Sequence, residues 1–135
     1  MNRMPRAKKS RRFLFTPPFK TPQEILTNQG LAALGDAYVN LLYSLYLSSK
    51  SGRPIGGKAD SAMLAAALKG VGLRELLPSR VDRHKQADAA EALIVYVWLR
   101  GLTTITESVE ELIRSNDAVE AFGFLLSEAK EKLSL

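Results

Sequence analysis

The sequence predicts an all-α fold, a helical bundle behind a basic, extended N-terminal arm. Three observations predict it. No stretch alternates apolar and polar residues in the two-residue rhythm of a half-buried strand. Two Thr-x-x-Glu signatures, Thr21 to Glu24 and Thr104 to Glu107, mark helix starts where side chain and backbone satisfy each other's free groups. Apolar runs of helical length are closed by glycine or proline, at Gly30, Gly70, Pro78 and Gly101.

In chain order, residues 1–20 read as a flexible basic arm and residues 21–135 as a single helical domain. Pro17-Pro18 excludes helix from the arm. Phe13, Phe15 and Phe19 are interleaved with its basic residues, and either stack on bases or pin the arm to the body. Pro22, at a first helical position, opens a short helix that stops near Gly30. A long helix follows from Leu31 to Ser49, ended by "SSKSGRP". A third, rich in alanine, spans Gly57 to Lys69, and a brief helical turn covers Leu73 to Leu77. A strong helix runs from about Lys85 to Arg100. The Thr104 box opens a helix to about Ser115, and Asp117 to Leu133 gives the last.

A chain of 135 residues, 46% hydrophobic, is one domain that can bury roughly 70% of its unfolded surface. It has no cysteine, which removes disulfides and thiolate metal sites and suits a cytoplasmic protein. No apolar run reaches the ~18 residues of a membrane span. The net charge of +5 is unevenly placed. Residues 1–30 carry seven basic side chains against Glu24 alone, whereas residues 31–135 carry 12 basic and 13 acidic ones. The arm, with Arg6, Lys8, Lys9, Arg11 and Arg12, is built to bind phosphates by counterion release; the alternative is a solvated tail.

Two apolar helices contain acids. In Leu31–Leu47 the polar residues Asp36, Asn40 and Ser44 recur every four positions and form one narrow stripe. Gly35 beside Asp36 admits a close neighbouring backbone. In "KQADAAEALIVYVWL", Asp88 and Glu91 are three apart and share a face flanked by alanines. Each acid alone has an ordinary explanation: the helix dipole for Asp88, Arg80 or Arg83 for Glu91, a tyrosine hydroxyl for Asp36. Together, three carboxylates on two packed apolar helices repel and call for a cation. An all-oxygen set selects a hard ion, Mg²⁺ or Mn²⁺, and such sites act on phosphate esters. With the basic arm, the indicated substrate is nucleic acid.

The stretch "LAALGDAYVNLLYSL" resembles the signature helix of the ribonuclease III endonuclease domain, with its Leu-Gly-Asp-Ala core and an asparagine four residues on. "ADAAEALIVYVWLRG" resembles that family's second acidic helix, and "GGKADSAMLAAALKGVGLRELL" its connecting helix. The resemblance runs from about Glu24 to Thr104 and is greatest to compact members such as mini-ribonuclease III or short archaeal relatives, without a double-stranded-RNA-binding domain. It implies a divalent-metal-dependent endoribonuclease for double-stranded or structured RNA, with Asp36, Asp88 and Glu91 as metal ligands and Asp36 and Glu91 as the catalytic pair. The sequence departs from the family at Ala32 and Gln29, where glutamates are usual; mini-ribonuclease III also lacks the first of these.

The resemblance further implies a homodimer in which signature helices meet across a two-fold axis, with Leu34, Tyr38, Leu41, Leu42 and Leu45 as candidates for its apolar faces or for monomer core. RNA contacts are expected from Asn40, from Lys58 in the connecting segment, and from Arg80, Arg83, His84 and Lys85 just before the acidic helix. His84 is expected to lie at the surface or meet phosphate rather than act as a base. Since the family also includes catalytically silent ribosomal members, the alternative is an RNA-binding component of the large ribosomal subunit.

Overall fold

The computed structural model describes residues 13–135, and these contain six α-helices and no strand. They are α1 (Pro22–Leu26), α2 (Gln29–Ser51), α3 (Ser61–Gly70), α4 (Arg83–Leu99), α5 (Ile105–Arg114) and α6 (Ala118–Lys132), with a 3-10 turn at Leu73–Leu76 between α3 and α4. The basic residues Arg6, Lys8, Lys9, Arg11 and Arg12 lie outside the described residues.

Side-chain caps set most of the boundaries. Asn28 accepts from Leu31 N at 2.9 Å, so α2 begins at Gln29 and Gly30 falls inside its first turn rather than ending α1. Asp60 accepts from Ala62 N at 2.7 Å, which starts α3 four residues later than the glycine pair suggests. The capping box at Thr104 forms in full, with reciprocal bonds of 3.0 and 3.1 Å to Glu107. The one expected at Thr21 does not: Glu24 Oε1 accepts instead from Lys20 N at 3.0 Å, one residue further back, and the Thr21 side chain caps nothing. Gly52, at φ 76°, closes α2 in a left-handed conformation that a side chain would strain.

Helix α4 is the axis of the bundle. Ala89 to Val97 are buried without a break, and α1, α2, α3 and α6 all pack on it. A helix apolar all round can only be a central one, and its alanines let neighbours come close. The densest packing is α2 on α4, where Val39 and Leu42 are fully buried. The expected α2 face divides in two. Tyr38 and Leu42 are core, whereas Leu34, Leu41 and Leu45 are 39, 46 and 37% exposed and form a stripe facing outward.

Residues 13–20 lie on the C-terminal half of α4. The buried Tyr96 hydroxyl donates to Pro17 O at 2.6 Å, and Phe19 meets the Tyr96 ring edge-on at 5.8 Å. Phe13 packs on Trp98, which stacks on Tyr38 at 4.8 Å. Phe13 and Phe19 therefore pin the segment, while Phe15 stacks on Phe13 and stays exposed. Tyr96→Phe leaves Pro17 O without its donor and is expected to cost about 1 kcal/mol. Urea unfolding checks the cost, and faster proteolysis near residues 13–20 checks that this segment is what comes loose.

Candidate functional site

The site begins with a glycine. At position 35 a Cβ would lie 2.2 Å from the Glu91 carbonyl oxygen, so α2 and α4 touch backbone to backbone there. Only glycine permits that approach. It sets the next side chain of α2, Asp36, beside the side chain of Glu91. The two carboxyls are close enough to act on each other, and Asp36 favours the protonated form of Glu91.

Glu91 is 6% exposed and Asp36 is exposed at the rim. Burial raises the Glu91 carboxyl from 4.5 to about 7; the Asp36 charge and its hydrogen bond, then Asp88, push the same way, and Lys58 opposes them. Glu91 thus faces Asp36 instead of an arginine. Asp88 stands beyond the first turn of α4, which begins at Arg83, so the helix dipole does not account for it. Asp36 accepts from Asn40 Nδ2 at 3.2 Å and from Lys58 Nζ at 3.5 Å rather than from a tyrosine.

All three acids line one open cavity of about 470 Å³, together with Lys58, His84, Lys85, Ser61, Gln29 and Ala32. Its walls are the segment before α3, the first half of α4 and the first half of α2. The positions where the resemblance leads one to expect glutamates, 29 and 32, are on this wall, so those departures remove charge from the site itself. Arg80 and Arg83 are exposed and stand outside the cavity lining. Asn40 uses its amide inside the protein: besides donating to Asp36, its Oδ1 accepts from Ala59 N at 2.8 Å.

The carboxylate pair, with Asp88 in the same cavity, is a donor set of the kind a hard divalent cation takes. As the side chains stand, no three acidic or histidine groups among the described residues are close enough to hold an ion. Asp36 and Glu91 fit as a two-carboxylate seat, and Asp88 would have to turn toward them. The raised Glu91 carboxyl reflects in part the same repulsion that a cation would relieve.

Sequence reasoning misses two features. One is the Lys58–Asp36 ion pair, whose partners are 22 residues apart and joined by no helical spacing. The other is the raised Glu91 carboxyl at the α2–α4 crossing, which depends on burial and side-chain placement; Gly35 next to an acid is its one signal in the sequence. Among the described residues no helix is long and apolar enough to cross a membrane.

No curated protein matches the chain significantly. The family model for ribonuclease III matches residues 29–133, from the first turn of α2 to the end of α6. The match takes in Asp36, Asp88, Glu91 and the whole cavity wall, and the helical fold agrees with it: the chain belongs to the ribonuclease III family.

Proposed function

We propose that the protein is a cytoplasmic, divalent-metal-dependent endoribonuclease that cleaves double-stranded or structured RNA. The observation that carries this reading is the meeting of Asp36 and Glu91 at the Gly35 crossing, in a cavity that also holds Asp88, Lys58, His84 and Lys85. Asp36 and Glu91 would hold Mg²⁺ or Mn²⁺, with Asp88 completing the set. When bound, the ion would lower the pKa of water and neutralise charge on the phosphoryl oxygens. The chain's own residues do the rest. Asp36 and Glu91 would supply the negative seat, Glu91 only as its carboxylate, with its proton passed to water. Lys58, His84 and Lys85 hold the phosphate backbone of the scissile strand at the cavity mouth. Cleavage leaves a 5′-phosphate and a 3′-hydroxyl.

A duplex would be recognised through A-form shape, phosphates and 2′-hydroxyls, because its deep groove is closed to side chains. Arg80 and Arg83, exposed at the entry to α4, and the basic residues 6–12 would add salt-sensitive affinity. The exposed stripe Leu34, Leu41 and Leu45 supports a homodimer formed through α2. Two cavities on one dimer would each address one strand.

A second reading is a silent RNA-binding member of the family, for example on the large ribosomal subunit. It is favoured by Ala32 in the cavity wall and by Lys58 already partnering Asp36. Incubating the protein with a labelled RNA duplex, with Mg²⁺ or with EDTA, separates the two. The nuclease cuts only with the metal. The scaffold binds in a salt-sensitive way without cutting, and travels with the large subunit on sedimentation.

A further inference from the structure

The polar stripe on α2 is longer than its acid requires, and each of its members grips the same piece of chain. Asn40 Oδ1 accepts from Ala59 N at 2.8 Å. Ser44 Oγ accepts from Gly57 N at 2.9 Å and donates to Gly57 O at 3.0 Å. Ser48 Oγ accepts from Ile55 N at 2.8 Å and donates to Ile55 O at 3.0 Å. Three side chains four residues apart therefore staple an extended strap, residues 55–59, along one side of the helix. Every second residue of the strap is held by its backbone, and Lys58 stands between two of the clamped positions. Its Nζ lies 3.5 Å from Asp36 Oδ1.

The pair itself is weak. Its side chains are 74 and 52% exposed, and an ion pair so open to water contributes little. It is well placed for exchange. The ammonium occupies the solvent side of the carboxylate pair and acts on Glu91 as well as Asp36. A divalent ion approaching Asp36 meets it as a like charge. An RNA phosphate at the cavity mouth would draw it away, because a phosphate is a better partner for an ammonium than a carboxylate about to bind a metal.

We propose that Lys58, positioned by the strap, is a displaceable counter-ion that couples metal loading to RNA binding. Without RNA it neutralises Asp36 and weakens the metal seat; when a duplex binds, it moves to a phosphate and releases Asp36 to the ion. By reciprocity the metal must strengthen RNA binding by the same factor. The idea rests on the nuclease reading, and it gives the family's missing negative charge at Ala32 a counterpart: a site short of one carboxylate gains its ion only with substrate present.

Electron paramagnetic resonance of free Mn²⁺ tests it, with the full chain, at fixed ionic strength, with and without a product-length RNA duplex. In the wild type the duplex should tighten Mn²⁺ binding about tenfold, within the usual range of such couplings. Lys58→Met should bind Mn²⁺ about tenfold tighter than wild type without RNA, and the duplex should add little. Lys58→Arg should retain the coupling. Ser44→Ala, which keeps the lysine and loosens the strap, should shift Mn²⁺ affinity in the same direction as Lys58→Met. Equal Mn²⁺ affinity and equal coupling in wild type and Lys58→Met overturn the inference and leave the metal site intact. Wild-type behaviour of Ser44→Ala overturns the role of the strap. If no protein binds Mn²⁺ in either condition, the inference and the metal-dependent reading beneath it fall together.

Discussion

Glu91→Gln is expected to lower RNA cleavage by about 100-fold or more and, in the same protein, to raise stability above neutral pH. The first effect follows from taking one of two converging carboxylates out of the metal seat. Even partners that only orient a metal ligand are worth 10- to 100-fold, roughly, and a donor that touches the ion should be worth at least as much. The second effect follows from the burial of Glu91 against Asp36. Its carboxyl sits at about 7 in the folded chain and at 4.5 when unhindered. Between those values the folded state holds a proton that the unfolded state has lost. Stability is therefore highest below pH 4.5, falls as pH rises to about 7, and changes no further from this group above that. The cost at pH 8 is on the order of 3 kcal/mol. Glutamine keeps the shape and a hydrogen-bond donor toward Asp36 but cannot ionise, so the loss is absent from the variant. Urea unfolding in EDTA at pH 5.5 and pH 8.5 reads it as a gap between variant and wild type that widens with pH. Parallel curves would show that burial against Asp36 does not raise the Glu91 carboxyl.

Gly35→Ala is expected to destabilise the fold by about 3 kcal/mol or more, the upper end for overpacking, and to lower the melting temperature by roughly 10 °C. The added methyl meets the Glu91 carbonyl oxygen at 2.2 Å, and a backbone atom cannot swing aside as a side-chain tip can. The helices must separate, and the separation falls where Asp36 and Glu91 meet. A melting curve like the wild type's would mean that α2 and α4 do not cross so closely. The control is Gly70→Ala, where a Cβ meets nothing within 4 Å.

These effects concentrate where the sequence was most readable. The strong helix expected from about Lys85 to Arg100 is α4, and its stretch from Ala89 to Val97 is buried because a central element can bury every face. Gly35 announces a close crossing, and the crossing is there. The spacing of Asp88 and Glu91 places both toward one cavity, as three residues on a helix must. What the sequence left open depends on the partner, not on the residue. The period-four stripe of α2 was visible, but its targets are backbone groups 19, 13 and 7 residues away in an irregular strap, which no periodicity encodes. Leu34 and Tyr38 lie one turn apart on the same helix, and only the packing of Trp98 decides that the tyrosine is covered and the leucine is not. Asn28 and Asp60 moved two helix starts because a capping side chain outranks the nearest glycine.

The proposed nuclease needs a single location for the ion, between the carboxylates that α2 and α4 bring together. Anomalous diffraction from crystals of the protein grown at pH 8 with Mn²⁺ and a product-length RNA duplex reads that location directly. The expected result is a manganese peak within coordinating distance of Asp36 and Glu91, with Asp88 turned toward it and Lys58 on a phosphate. RNA seated in the cavity with no peak there, and Lys58 still on Asp36, would contradict it.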